Sequence, residues 1–474
     1  MQADDFLVFN GIDSSTGTYL TPGTTLDQMA RALREEPPDG SGDRDLRRRS
    51  QSDEDHLGVM YGRDPEDLAS VGWGVVLPPG FDPAMLEALQ PLLRKREQEA
   101  GDLFQLLELR EGEDKDDFLA RHGMGPGVVD PRRVPYYLLL LGSPEQIPFD
   151  VQYQLGVSYA VGRLDLEDAA SYGAYARRVL EAERRLVAET PDACTLSFFA
   201  TRHPGDAPTA LSASRLVEPL REELRQSASA WEIVSDVGAS STRSRLEELF
   251  FGSPGPDLLF TATHGVAGGP NGREIDGALL CQDWPGPLAS RGPLRDGDYL
   301  AAHQVPAGAV VGPKVIFSFA CFGAGTPHMS DYPGGPDGES VLAPAPFTAR
   351  LPQRLLGLDD GGPLAFVGHV DRAWSCSFLW KGLDAQITPF SSMLLALMNG
   401  TRLGSAMESL TSRYAEIATE LTRRMDELRR YGKRIDDADL VGLWTATNDA
   451  RAQVILGDPA VRVARRGGAG IALS

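Results

Sequence analysis

Two segments of the 474-residue chain each run an apolar stretch straight into a side chain capable of chemistry. One is Leu259-Phe260-Thr261-Ala262-Thr263-His264-Gly265; the other is Val315-Ile316-Phe317-Ser318-Phe319-Ala320-Cys321-Phe322-Gly323. A thiol attacks a carbonyl as its thiolate, so it needs a base nearby, and the oxyanion formed by the attack needs backbone donors. Strand ends in an α/β sheet deliver such groups to one rim. Taken alone, Cys321 reads as a small buried residue closing a strand, and His264 as a structural hydrogen-bonder. Together they read as a nucleophile and its acid/base, because Cys321 lies 57 residues downstream of His264, which leaves room for one crossover between neighbouring parallel strands. Glycines 323 and 325 permit close backbone approach beside the thiol.

The elements that must position these groups are short continuous apolar runs at 136–141, 196–200, 258–263, 315–320 and 364–367. Such runs suit strands covered on both faces, as in a parallel sheet between helices. Helical periodicity alternates with them. Residues 167–189 place Tyr172, Ala176, Val179, Leu180 and Leu186 on one face, and 405–431 place Met407, Leu410, Tyr414, Ile417, Leu421, Met425 and Leu428 on a stripe that stops at Gly432. The pattern predicts an α/β protein. Residues 35–55 are polar, charge-dense and rich in Pro and Gly, which predicts an exposed loop. The Gly/Pro-rich stretches 266–298 and 323–347 follow the two chemical segments as rim insertions.

Composition narrows the function. A formal net charge of −21 repels nucleic acid and anionic lipid, so neither is expected as a partner. Four widely spaced cysteines, without a CxxC pair, suggest neither a zinc site nor a disulfide framework, and point to a reducing compartment. The start Met1-Gln2-Ala3-Asp4-Asp5 lacks a signal-peptide pattern, and the longest aliphatic run is far short of the about 20 residues that span a bilayer. A cytoplasmic location is the expectation. His303, His328 and His369 are too dispersed to indicate a metal cluster, and Cys281 and Cys376 read as packed thiols. The glycine cluster at 268–272 lacks the Lys-Ser/Thr of a phosphate loop, and no Gly-x-Ser-x-Gly elbow occurs.

Four segments between residues 134 and 463 resemble the caspase-superfamily cysteine peptidases, and within them the gingipain-like group. The first is Tyr137-Leu138-Leu139-Leu140-Leu141-Gly142-Ser143-Pro144-Glu145-Gln146-Ile147-Pro148 with Val161-Gly162-Arg163-Leu164 downstream. The second and third are the His264-Gly265 and Ala320-Cys321 strings. The fourth is Gly361-Gly362-Pro363-Leu364-Ala365-Phe366-Val367-Gly368-His369-Val370-Asp371-Arg372-Ala373-Trp374-Ser375, and Val454-Ile455-Leu456-Gly457-Asp458-Pro459 resembles the family's closing segment. The first 130 residues carry no such match.

The resemblance implies a caspase-like three-layer α/β/α fold with a mostly parallel sheet in two tandem subdomains. On that division, 1–130 is an α/β region packed on or part of the first subdomain, 131–190 completes that subdomain, and 191–474 is the catalytic one with a C-terminal helix. It also implies Cys321 as nucleophile, His264 as acid/base, and the Gly265 and Cys321 N–H groups as the oxyanion hole. Trp374 would wall the substrate pocket, with Phe319, Asp150 and Asp371 as further pocket residues. Phe319 brings no charge, whereas Asp150, placed after the Ile-Pro turn, favours a basic residue before the cut. Asp150 and Asp276 are the candidates for orienting His264.

The expected function is a cytosolic cysteine endopeptidase acting on polypeptides through a thioester, with no cofactor and no metal. Arg47-Arg48-Arg49 offers a place for activating cleavage, by the enzyme itself or by an upstream protease, as in a signalling or defence cascade. The alternatives are a catalytically silent peptide-binding scaffold and a cysteine transpeptidase or amidase.

Overall fold

The computed structural model describes residues 58–188, 194–267, 273–332, 341–380 and 383–466, with 6–7, 11–20, 24–26 and 30 of the N-terminal part. The charged loop at 35–55, including Arg47 to Arg49, and the glycine cluster at 268–272 lie outside the described residues. Ten strands make one sheet: β1 (Trp73–Leu77), β2 (Phe104–Glu108), β3 (Tyr137–Leu141), β4 (Ala160–Leu164), β5 (Cys194–Ala200), β6 (Trp231–Val237), β7 (Leu258–Ala262), β8 (Val315–Phe319), β9 (Ala365–His369) and β10 (Gln453–Gly457). Their order across the sheet is β6-β5-β7-β8-β9-β10-β4-β3-β1-β2. Every pairing is parallel except β9 with β10. Two parallel halves of five strands therefore run in opposite directions and meet at that antiparallel seam.

The apolar runs explain the strands. Every residue of β3, β4, β7, β8 and β9 is buried, and because successive side chains point to opposite faces, both faces must be covered. The edge strands β2 and β6 carry partly exposed residues instead. The described helices that matter below are α1 (Pro83–Ala100), α2 (Phe149–Gly156), α3 (Ala169–Ala188), α4 (Ala207–Leu211), α5 (Thr388–Met398), α6 (Glu408–Tyr431) and α7 (Asp437–Arg451). Helix α1 opens on an Asp82 cap followed by Pro83. Helix α6 stops where its stripe stops, at Gly432 in the left-handed conformation. α1 packs on α3, and α6 on α7.

Strand β10 comes last in the sheet's chain order yet sits in its middle, with Ile455 beside Gly162 of β4 and Val367 of β9. The sheet thus runs unbroken across the 190/191 boundary expected from the sequence, and β1 and β2, from the first 130 residues, lie in the same half as β3 and β4. A buried ionic cluster fastens the seam. Asp458, just after β10, accepts from Trp73 Nε1 at 3.0 Å, Arg96 Nε at 2.8 Å and Ala460 N at 2.9 Å. Arg96 of α1 also pairs with Glu99 at 2.6 Å and with Glu183 of α3 at 2.5 Å. Arg96→Ala leaves Asp458 buried without its cation, so chemical denaturation should show a loss of about 3–5 kcal/mol.

Candidate active site

The two chemical side chains are placed by strand register. Leu258 to Ala262 of β7 pair residue for residue with Val315 to Phe319 of β8, and Thr263 N donates to Phe319 O at 3.2 Å. His264 and Cys321 each stand two residues past this last pair, on the same rim of the sheet. Their backbones then touch. A Cβ on Gly265 would sit 1.7 Å from the Cys321 carbonyl oxygen and 2.8 Å from its nitrogen, so only glycine fits there.

His264 and Cys321 line one cavity of about 320 Å³ together with Phe319, Ala373, Trp374 and Phe378. Both are nearly sealed, at 3% and 2% exposure. The Cys321 thiol exchanges hydrogen bonds with the Ala373 backbone: Sγ accepts from the N–H at 3.3 Å and donates to the carbonyl at 3.8 Å. Burial pushes the thiol up to about 12, only partly offset by the Ala373 N–H, so a base must draw the proton away. Phe322, next in the chain, has φ +58° and gives its N–H to Asp371 O, while Asp371 itself has φ +67°. Two left-handed non-glycine residues facing each other mark a strained turn beside Cys321. Since that carbonyl takes the Phe322 N–H, the Cys321 and Gly265 N–H groups are the donors left at the turn. Among the described backbone hydrogen bonds neither has a carbonyl acceptor.

His264 is oriented by Asp206, not by Asp150 or Asp276. Its Nε2 lies 2.8 Å from Asp206 Oδ2. Asp206 caps the short helix α4 and also accepts from Thr209 Oγ1 and, through Oδ1, from the Tyr19 hydroxyl at 2.7 Å. Burial alone would raise the Asp206 carboxyl, but the His264 hydrogen bond and charge, with Thr209 and Tyr19, outweigh it and hold the group well below the usual carboxylate range. An ionised Asp206 can only accept, so His264 Nε2 carries the hydrogen of that bond. Asp276 does not line the cavity, and its carbonyl accepts from Arg350 N at 3.2 Å. Asp150 stands exposed in the first turn of α2 and does not line the cavity, because the chain after β3 leaves the oppositely directed half of the sheet.

Asp371 does not line the cavity either. It is buried beneath the turn, where it accepts from Ser330 Oγ at 2.7 Å and Asp331 N at 3.0 Å. Trp374 and Phe319 are cavity residues. The segment bearing Trp374 is pinned from below by the fully buried Asp449 of α7, which accepts from Trp374 N at 2.7 Å and from Ser377 Oγ.

Asp206, Tyr19 and Asp449 are site residues that sequence reasoning passes over. A signal for the first exists in Asp206-Ala207-Pro208-Thr209, an acidic cap with proline just inside a helix. Tyr19 arrives from the N-terminal part of the chain. Ile12–Asp13 adds a strand beside Val266–Ala267, Ile12 N donating to Gly265 O at 3.3 Å, and Thr18–Tyr19 returns antiparallel to it. The imidazole is further enclosed by Trp284, edge-on at 5.8 Å, and by His203, stacked at 6.5 Å and pushed down to about 4 by burial. No group of three or more His, Cys, Asp or Glu able to hold a metal is found among the described residues. No described helix is long and apolar enough to cross a membrane.

No family model matches the chain, and no curated protein does. Among solved structures it is similar to one described only as a protease, at 11% identity and a TM-score of 0.49 over 84% of this chain and 79% of that one. It is also similar to gingipain R, an Arg-specific cysteine proteinase, at 13% identity and a TM-score of 0.49 over 83% of this chain and 78% of that one. The complex of Porphyromonas gingivalis RgpB pro- and mature domains is similar at 13% identity and a TM-score of 0.46, over 82% and 79% of the two chains.

Two outcomes follow from the geometry. Gly265→Ala forces the His264 and Cys321 backbones apart, so the melting temperature should fall and any activity that needs both side chains should vanish. The second concerns pH. Burial pushes the Asp449 carboxyl up to about 7, so between the unfolded value near 4 and pH 7 the unfolded chain releases a proton that the folded protein retains. Its contribution to stability therefore falls across that window. Asp449→Asn, which mimics the neutral acid, should gain melting temperature relative to the parent as pH rises from 5 to 8.

Proposed function

We propose that this chain is a cysteine endopeptidase. The observation that carries the reading is the ordered set Asp206–His264–Cys321, with imidazole and thiol on adjoining strand ends and lining one cavity. In this reading His264 Nδ1 takes the thiol proton as Cys321 Sγ attacks the peptide carbonyl carbon. The oxyanion is held by the N–H groups of Gly265 and Cys321, a contribution worth about 10²–10³ in turnover per donor in such sites. Collapse breaks the C–N bond, the imidazolium protonates the departing amine, and a thioester remains. Water, deprotonated by the same imidazole, then releases the acid product. Asp206 keeps the base in its Nε2–H tautomer and stabilises the imidazolium.

Four cysteines without a disulfide fit a reducing, cytosolic setting, and activation by cleavage belongs to the same proposal. One observation favours a second reading, a peptide-holding protein without turnover: the thiol is buried and engaged with Ala373. Incubation with a peptide library, read by mass spectrometry, separates the readings. Two hydrolysed fragments, lost by at least about 10³-fold in Cys321→Ala and His264→Ala, support the peptidase. Ligated products would indicate a transpeptidase. Intact peptides recovered bound to the protein would favour the silent scaffold and remove the enzyme.

A further inference from the structure

The position before the scissile bond is decided by what the cavity beside Cys321 can solvate. Its walls include Leu211, Ser212, Phe319, Ala373, Trp374 and Phe378. Phe319, two residues before the thiol, is locked edge-on against Phe378 at 5.7 Å and His369 at 5.1 Å, so it cannot swing aside to admit a polar group. Among the described residues the lining contains no Asp, Glu, Lys or Arg, and His264 is committed to Asp206.

Two nearby carboxylates, Asp449 and Asp371, lie outside the lining. Asp449 is tied to Trp374 N and Ser377 Oγ behind the wall, and Asp371 to Ser330 and Asp331 beneath the turn. A guanidinium or ammonium entering this space would shed its water without gaining a counter-charge from the described walls. An apolar side chain there would instead exchange water for aromatic and aliphatic walls.

Resting on the peptidase reading, we infer that the enzyme selects an uncharged apolar side chain, from Leu to Phe in size, immediately before the bond it cuts. This replaces the basic preference that Asp150 suggested in the sequence. Arg47 to Arg49 would then be a site for another protease, and the enzyme itself would leave it intact.

The test uses peptidyl acyloxymethyl ketones that differ only in carrying Leu, Phe, Lys, Arg or Asp at that position. Labelling of the full chain is followed by intact mass, with Cys321→Ala as the blank. Leu or Phe probes should label at least about tenfold faster than each charged probe. A Lys, Arg or Asp probe that labels as fast or faster overturns the selectivity while leaving the peptidase reading in place. Failure of every probe to label overturns both.

Two variants locate the effect. Leu211→Glu and Ser375→Asp each add a carboxylate to the cavity wall, at half-buried positions that tolerate polarity, and folding is checked by circular dichroism. Either should raise the Lys-probe rate about tenfold relative to the Leu probe, more at low salt than at high. If both folded variants keep the parental order of rates, the side chain before the cut does not occupy this cavity and the inference falls.

Discussion

Everything at the site follows from how closely two backbones approach where β7 and β8 end. Parallel register brings the strands out on one rim, and the contact of Gly265 with the Cys321 peptide closes the gap between them. A side chain at 265 would collide with that peptide, so the imidazole and the thiol are held on the same side of a backbone junction that has no spare volume. The strained pair Phe322 and Asp371 completes the arrangement by turning the chain away and consuming one N–H. The Gly265 and Cys321 N–H groups have no carbonyl acceptor among the described backbone hydrogen bonds. The arrangement costs backbone strain, which the fully buried flanking strands hold in place.

Buried polar groups surround the site, and their partners decide what each can do. Asp206 and Asp449 are both buried carboxyls, yet one is held down and the other pushed up. The difference is the company each keeps: an imidazole, a hydroxyl and a phenol converge on Asp206, whereas Asp449 has a backbone N–H and one serine. The first is held as an anion beside the imidazole, and the second, under a loop, keeps its proton far more readily. The thiol belongs to neither class, since burial favours its protonated form.

The strands and the His264–Cys321 pair were legible in the chain because both depend on local patterns. Continuous apolar runs mark strands covered on two faces, and a chemical residue just past such a run must emerge at a rim. The stop of α6 at Gly432 is equally local. Asp206 and Tyr19 were not legible, since they reach His264 only through tertiary packing from loops 58 and 245 residues away in the chain. Asp150 and Asp371 were drawn into the pocket by their nearness in sequence to matching segments. The fold places them elsewhere because β3 points the other way and because the chain after β9 turns its carboxylate downward into Ser330. Strand direction across the seam is a long-range property that periodicity does not carry.

That seam sets the order in which the molecule can be completed. Since β10 is the central staple between the two halves, neither half gains its inner edge partner until residues 453–457 have been synthesised, and Asp449 braces the Trp374 loop only slightly earlier. Strand pairings separated by hundreds of residues are slow to form and leave open edges meanwhile. A ribosome translating this message would thus carry two half-sheets, each with an open inner edge, until residues 453–457 emerge to join them.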